Sequence, residues 1–359
     1  MLGKLFSNVV GGRTQEVAPE PAGAVLDEPE RGAEPVASAA PVPPPAPSTP
    51  EEAATAKLLD EAYYRRRQLG LLDLQAQFTG RQWIETLLAR PDMADPRRLE
   101  RHGGKTFSQN DEDGIIAEIF RRIGAPHRTF VEFGCGDGLE NNTTCLLSQG
   151  WRGLWLDGGD DNAEGIRKVY GYLIEHGLLQ FRQVFIDRDN IDGLIVDAGL
   201  GDEIDLLSID LDGNDYHIWE AIAAVSARLV VVEYNGKFIP PHDWCMAYDR
   251  GYMWRGTDLM GASLTALARL GDAKGYQLVG CNITGVNAFF VRRDLAGDKF
   301  AQPATPAHLF HPARYELTRC FVSGHPPNSI TILQGACAAA GLPWPPSDTL
   351  ASIAHVILP

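Results

Sequence analysis

Residues 129–138 read TFVEFGCGDG, and this stretch decides the fold. Its first half, Thr129–Phe133, is an apolar run of strand length, and the glycines after it lie at positions 134, 136 and 138. A glycine-rich turn at the carboxyl end of a first strand lets the backbone approach a ligand, because no Cβ blocks the way. The stretch therefore predicts the first strand of a parallel sheet and a ligand-binding loop directly after it.

Short apolar strands and helices alternate on the carboxyl side of this loop. Strands this apolar, joined by helical crossovers, predict a parallel sheet that helices cover on both faces. The last two strands follow each other without a helix, which predicts a hairpin. The sequence thus predicts an α/β, doubly wound, seven-stranded and mostly parallel sheet with an antiparallel last strand. The predicted strands are Thr129–Phe133, Gly153–Asp157, Gln180–Ile186, Asp205–Asp210, Leu229–Tyr234, Tyr276–Gly280 and Asn287–Val291. Helices are predicted near residues 140–149, 162–175, 190–198, 215–225 and 261–274, with a further one capped by Ser108.

Composition divides the chain into four parts. Residues 1–56 hold ten of the 24 prolines and a single aromatic residue, Phe6. Such a stretch cannot bury enough apolar surface to offset its chain entropy, so it is predicted to be a disordered arm, and it is a candidate for docking to a partner. Residues 57–104 are predicted to form a helical extension of two helices, the second ending before Pro91. The α/β domain is expected over 105–295, and 296–359 to be a carboxyl-terminal extension that packs on it.

Charge and cysteine usage exclude several classes of protein. The chain has 32 basic and 47 acidic residues, a net charge of −15, which makes it a poor partner for a nucleic-acid backbone. No apolar run approaches the ~18 residues that a membrane span requires, and Met1–Phe6 lacks the apolar core of a secretory signal. The six cysteines show no Cys-x-x-Cys spacing, which indicates a reducing compartment. A cytoplasmic protein with no nucleic-acid partner and no transmembrane segment is predicted.

The glycine spacing distinguishes between two classes of cofactor. A dinucleotide fingerprint would require glycine at position 139, where this chain has Leu139, which argues against a nicotinamide-dependent oxidoreductase. Instead, alternating glycines follow the acid Glu132. This pattern resembles the S-adenosylmethionine loop of class I methyltransferases, whose Rossmann-like fold agrees with the predicted sheet.

Longer stretches resemble a narrower group, the FkbM-like methyltransferases. The resemblance covers roughly residues 105–293 and departs from the common form at Asp212, where a Glu is usual. It implies methylation of a hydroxyl group on a sugar, polysaccharide or natural-product acceptor, with S-adenosylmethionine as the methyl donor. The stretches that carry it are 107–115, 133–143, 205–216, 232–235, 261–264 and 274–280.

The acids near the strand ends are the candidates for holding the cofactor. Asp157 ends the second predicted strand, where a carboxylate can accept hydrogen bonds from both ribose hydroxyls. Asp187 follows the third strand and could accept from the adenine amino group, with Asp189 as an equally acidic neighbour. The residues predicted to hold the cofactor are Glu132, Gly134, Gly136, Asp137, Gly138, Asp157 and Asp187.

The acceptor is expected at the carboxyl ends of strands four and five. A positioned base there would take the proton of the acceptor hydroxyl, and Asp210, Asp212 and His217 are the candidates. The alternative is a divalent cation such as Mg²⁺, bound by Asp210, Asp212, Glu233 and Asn235, which would lower the pKa of that hydroxyl. An aromatic-rich loop around His242 is predicted to cover the cleft.

Two interpretations of function therefore remain. The first is an S-adenosylmethionine-dependent O-methyltransferase that acts on a small-molecule or glycan acceptor. The second is a non-catalytic cofactor-binding module that its amino-terminal arm attaches to a larger assembly.

Overall fold

The structure is a computed structural model that describes residues 49–321, with the side chains of 51–56, 58–60 and 319–321 outside the description. The predicted arm thus lies outside the described residues up to residue 48, as does the carboxyl-terminal extension from residue 322. The described chain separates into two units, residues 49–70 and residues 71–321. Residues 50–70 of the first unit are helical, and the second contains the sheet.

A seven-stranded sheet forms the centre of the second unit. The strands are β1 (Thr129–Phe133), β2 (Arg152–Asp157), β3 (Leu179–Gln183), β4 (Glu203–Ile209), β5 (Ser226–Glu233), β6 (Tyr276–Cys281) and β7 (Asn287–Arg292). Their order across the sheet is β3-β2-β1-β4-β5-β7-β6. Strands β1 to β5 pair in parallel, whereas β7 runs antiparallel to both β5 and β6. The predicted α/β fold, with one antiparallel last strand, is confirmed.

Helices lie before, between and after these strands in the chain. They are α1 (Pro50–Leu88), α2 (Glu112–Ile123), α3 (Thr144–Ser148), α4 (Asp160–Glu175), α5 (Ile191–Val196), α6 (Asp215–Ala221), α7 (Leu264–Ala273), α8 (Arg293–Ala296) and α9 (Pro306–Leu309). Short 3₁₀ turns lie at Pro91–Met93, Glu100–His102 and Tyr315–Phe321. Within the described residues, no helix is both long enough and apolar enough to cross a bilayer.

The core lies on both faces of the sheet. Neighbouring residues of one strand alternate between two buried clusters: Phe130 belongs to one, and Val131 and Phe133 to the other. Leu206 and Leu207 of β4 divide in the same way. Because both faces of these strands are buried, their sequences are continuous apolar runs. Burial of each such side chain contributes about 1.5–3 kcal/mol to stability.

Four details of the predicted secondary structure are wrong. The amino-terminal region forms one continuous helix, α1, rather than the two helices predicted. Strand β3 ends at Gln183 instead of Ile186. The N-cap of α2 is Asp111, because Ser108 lies in a preceding loop, where its hydroxyl accepts from the Asp113 backbone N–H at 3.1 Å. The helix predicted at 140–149 is shortened to Thr144–Ser148, since a polar loop precedes it.

Candidate functional site

The glycine loop leaves β1 next to the turn that follows β4. Gly134 has φ +67°, and a Cβ built on it would lie 1.7 Å from the Asp210 carbonyl oxygen. Gly136 also has a positive φ, +57°, but a Cβ there would meet no heavy atom within 4 Å. Gly134 is therefore required for contact between two backbone turns, whereas the backbone of Gly136 faces open space in which a ligand can lie.

Glu132 holds the segment that follows the glycines. Its carboxylate accepts from the backbone N–H of Asn142 at 2.9 Å and from the hydroxyl of Thr143. The side chain is almost completely buried, and this burial raises its pKa to about 7. Both oxygens of Glu132 therefore accept hydrogen bonds from the segment that follows the glycines. In this structure Glu132 supports the predicted cofactor site by holding that segment in place.

Asp157 connects the glycine loop to the start of α4. Its Oδ2 accepts from the backbone N–H of Gly136 at 3.0 Å. Its Oδ1 accepts from the backbone N–H of Gly159 at 2.8 Å and from the Asn162 side chain at 3.1 Å. The carboxylate at the end of β2 thus lies directly beside the glycine loop. The predicted ribose site, between this carboxylate and the loop, requires that arrangement. Asp137, also in the loop, is exposed and accepts from the Leu139 N–H at 3.0 Å.

Asp187 and Asp189 are not equivalent. Asp187 is buried, and its Oδ1 accepts from the backbone N–H groups of Asp189 and Asn190 at 2.8 and 2.9 Å. Its other oxygen forms an ion pair with Arg250 from the long segment between β5 and α7. The side chain of Asp189 is 84% exposed. Asp187 is therefore held in a defined orientation, whereas Asp189 makes only a longer ion pair with Arg250, at 3.8 Å.

Three carboxyl groups converge beyond the ends of β4 and β5. Ligand atoms of Asp210, Asp215 and Glu233 lie within 4.8 Å of one another. Burial, followed by mutual repulsion, raises the pKa of Asp210 and of Glu233 well above the usual range, and burial raises the pKa of Asp215 to about 6. The group therefore carries less negative charge than three separate acids would.

Asp215 was not predicted as a site residue, yet it organises the turn after β4. Its Oδ1 accepts from the Leu211 backbone N–H at 2.7 Å and its Oδ2 from that of Gly213 at 2.9 Å. In that turn Asp212 has φ +52°, and burial raises the pKa of its carboxyl. The sequence shows an acid at the start of α6. The spacing of the acids alone does not reveal that the oxygens of this residue bond to the preceding turn.

The predicted set of metal ligands is only partly assembled. Asp210 and Glu233 lie together, but Asp215, rather than Asp212, is the third carboxyl of their group. The Asn235 amide donates to the carbonyl oxygens of Asp258 and Met260 at 2.7 and 3.1 Å, so it holds its own loop. Oxygen donors of this kind fit a hard cation, and of the predicted carboxylate ligands Asp212 lies outside the group.

A cavity of about 600 Å³ opens in front of these acids. Its size is that of a typical small-molecule site. It is lined by Gln109, Asp212, Glu233, Tyr234, Asn235, Lys237, Trp254, Thr257, Asp258, Met260, Val286, Tyr315 and Thr318. Carboxyl, hydroxyl and amide groups thus share the wall with three aromatic residues, which suits a polyhydroxylated molecule.

His217 lies on the first turn of α6, as predicted, but it is not among the residues that line the cavity. Its Nε2 lies 2.7 Å from the Met246 carbonyl oxygen. Because a carbonyl only accepts, Nε2 carries the proton, which leaves Nδ1 as the basic atom. That Nδ1 is buried and has no hydrogen-bond partner in the described part of the chain.

The segment between β5 and α7 crosses the loops that follow β3 and β4. The Tyr248 hydroxyl accepts from the Arg188 backbone N–H at 3.3 Å, and the carbonyl oxygen of Asp249 accepts from the Asn214 amide at 2.8 Å. Trp254 from the same segment lines the cavity, whereas His242 is exposed. The segment therefore contacts both the predicted cofactor side and the predicted acceptor side.

Comparison with known proteins gives weak similarities to methyltransferases of known structure. No protein-family model matches the chain, and no curated protein sequence is similar to it. Magnesium protoporphyrin IX methyltransferase from Synechocystis PCC 6803 is 14% identical, with 51% of this chain and 79% of that chain covered and a TM-score of 0.33. An S-adenosylmethionine-dependent methyltransferase from Clostridium acetobutylicum is 11% identical over 49% and 88%, with a TM-score of 0.30. The methyltransferase domain of bacterial CtHen1 is 14% identical over 51% and 97%, with a TM-score of 0.34. The fold assignment itself rests on the strand order described above.

Proposed function

We propose that this protein is an S-adenosylmethionine-dependent methyltransferase of the FkbM-like group that methylates a hydroxyl group. The contact between the Gly136 N–H and the Asp157 carboxylate is the observation that carries this proposal. The contact joins the loop after β1 to the end of β2. That loop leaves β1 beside the point where the chain order of the strands reverses, between β1 and β4, and open α/β sheets bind their ligands at such a point.

The residues around this contact fit the cofactor. The open space at Gly136 admits a ligand against the backbone, and Asp157 retains oxygen lone pairs for the ribose hydroxyls. Asp187 can accept a hydrogen bond from the adenine amino group if its ion pair with Arg250 opens, or if its carboxylate binds both partners at once. Gly134, Gly138 and Asp137 shape the loop, and Glu132 supports it. The bound cofactor would supply an electrophilic methyl group.

The cavity is the proposed acceptor site, for a hydroxyl of a sugar, polysaccharide or natural product. Asp212 and Glu233 line it, and Asp210 lies against Glu233. A carboxyl with a raised pKa is a stronger base once ionised, so Asp210 or Asp212 can take the proton of the acceptor hydroxyl. The protein also aligns the acceptor with the methyl group and excludes water, as the aromatic segment over the cleft favours.

Divalent-cation dependence remains a prediction. The grouping of Asp210, Asp215 and Glu233 supplies oxygen donors for Mg²⁺, but the predicted ligand Asp212 lies outside it. The non-catalytic module is the second interpretation, and the buried acids beside an open cavity argue against it.

Titration calorimetry of S-adenosylmethionine and of S-adenosylhomocysteine tests the proposal. We expect micromolar binding that Asp157→Ala abolishes and that Glu175→Ala, which changes an exposed acid at the end of α4, leaves unchanged. Thermal melting of both variants checks that the fold is retained, and runs with EDTA and with added Mg²⁺ report on metal dependence. If neither ligand binds under any of these conditions, the methyltransferase assignment is wrong and the docking-module interpretation takes its place.

A further inference from the structure

We infer that the acceptor carries a positively charged amine: it is an amino sugar or another amino alcohol rather than an acidic or phosphorylated molecule. This inference rests on the proposed function, since it concerns the acceptor cavity of the same site. It identifies Asp212 and Glu233 as the residues that select the charge of the acceptor.

The first argument is the charge of the cavity wall. Three carboxyl groups line it, from Asp212, Glu233 and Asp258, against one base, Lys237. Lys237 is already paired with Asp258, and its ammonium also lies 5.6 Å from the centre of the Tyr315 ring. The single base of the wall is therefore already neutralised by Asp258. Asp212 and Glu233 line the cavity without a cationic partner.

The second argument is the region behind the wall. Asp210 and Asp215 add two further carboxyl groups next to Glu233. In the described part of the chain, the ion pairs that form involve none of Asp210, Asp212, Asp215 and Glu233. Oε2 of Glu233 is moreover buried and has no hydrogen-bond partner among the described residues. Asp215 is buried, and Asp210 and Glu233 are half-buried. Carboxylates withdrawn from water in this way are unfavourable when they are ionised without a base, and a ligand ammonium would supply the missing charge.

The third argument is the shape and character of the remaining wall. The rings of Trp254 and Tyr315 line the cavity, and the faces of aromatic rings attract cations. A volume of about 600 Å³ exceeds what a hydrated metal ion fills and suits a sugar-sized molecule. Hydroxyl and amide groups of Thr257, Thr318 and Gln109 are available for the uncharged part of such a ligand. Phosphate or carboxylate groups would instead meet an excess of acids.

Charge-matched sugars test the inference by ligand-observed NMR and calorimetry on the full chain saturated with S-adenosylhomocysteine. We use glucosamine, N-acetylglucosamine, glucose and glucuronic acid, which differ mainly in charge. Glucosamine is expected to bind at least about tenfold more tightly than the two neutral sugars, as one charged hydrogen bond allows. Glucuronic acid should bind least.

Variants separate the role of charge from a loss of folding. Lys237→Met removes an exposed base, so the preference for glucosamine over glucose should increase, and this change does not depend on the buried acids. Glu233→Gln and Asp212→Asn should reduce the preference to near that of a neutral site, while binding of S-adenosylhomocysteine is retained. Asp243→Asn changes an exposed acid of the same segment and should have no effect.

The outcomes distinguish this inference from the proposed function. If S-adenosylhomocysteine does not bind, the proposed function fails. If it binds but no amine binds, or glucosamine binds no more tightly than glucose, the inference on the acceptor is wrong. A glucosamine preference that appears only with Mg²⁺ would assign the acids to a metal ion and would equally overturn it.

Discussion

The backbone of Gly134 touches the backbone of Asp210: a Cβ on Gly134 would lie 1.7 Å from the Asp210 carbonyl oxygen. The turn after β1 and the turn after β4 are therefore in direct contact. The first belongs to the proposed cofactor loop, and the second carries the proposed base. This backbone contact sets the distance between the two halves of the site. It leaves no room for a side chain at position 134.

Gly134 and Gly136 should respond differently to a methyl group. Gly134→Ala adds a backbone clash to the cost of a positive φ, and we expect it to lower the free energy of unfolding by about 2–5 kcal/mol. Gly136→Ala adds only the cost of its φ, about 1–2 kcal/mol, but its methyl group enters the open space. Urea unfolding and S-adenosylmethionine titration measure the two effects. Equal losses of stability would contradict the described contact.

Glu132 should make stability depend on pH. Its pKa is raised from 4.5 to about 7 on folding, so the folded state binds the extra proton between these values, and stability is lost as the pH rises through them. Glu132→Gln removes this loss, and we expect the variant to gain up to about 3 kcal/mol relative to the unmodified protein between pH 4 and pH 8. Urea unfolding at both pH values checks this. The exposed Glu164→Gln is the control, and a pH-independent difference for Glu132→Gln would contradict the prediction.

Asp215 should matter for the turn that carries Asp210 and Asp212. Asp215→Ala leaves two backbone N–H groups without their acceptor, so we expect a loss of about 1–3 kcal/mol in the free energy of unfolding. Asp215→Asn should recover part of it, because the amide oxygen still accepts one bond. Chemical denaturation of both variants, with Asp189→Ala as control, measures the difference. If alanine and asparagine destabilise equally, the hydrogen bonds are not the cause.

Arg250 should compete with the cofactor for Asp187. Asp187 is buried but its partner Arg250 is largely exposed, so we expect Arg250→Ala to tighten S-adenosylmethionine binding by up to about fivefold. Arg255→Ala, in the same exposed segment, is the matched control. Calorimetric titration measures the change. Weaker binding in Arg250→Ala would mean that the arginine assists the cofactor instead of excluding it.

Asp210 and His217 should differ in their effect on turnover. Asp210→Asn is expected to lower kcat by about 10²–10⁴-fold, the usual contribution of a general base. His217→Gln is expected to have a smaller effect, because its Nε2 bonds to the Met246 carbonyl oxygen and His217, unlike Asp210, is not grouped with the cavity residue Glu233. Formation of S-adenosylhomocysteine with an accepted acceptor measures both rates. A larger loss in His217→Gln would make the histidine the base.

The sequence by itself determined the sheet, the glycine loop and the proximity of Asp157 to that loop. These depend on local pattern: apolar strands, alternating glycines and an acid at a strand end, which a parallel sheet brings to one edge. The tertiary structure alone decided which acids group together and what orients them. Asp215 joins Asp210 and Glu233 because α6 begins beside the end of β5, and Arg250 reaches Asp187 because a long segment crosses the cleft. Such contacts join side chains that are distant in the chain, and their geometry depends on the packing of whole elements, which no spacing along the sequence encodes.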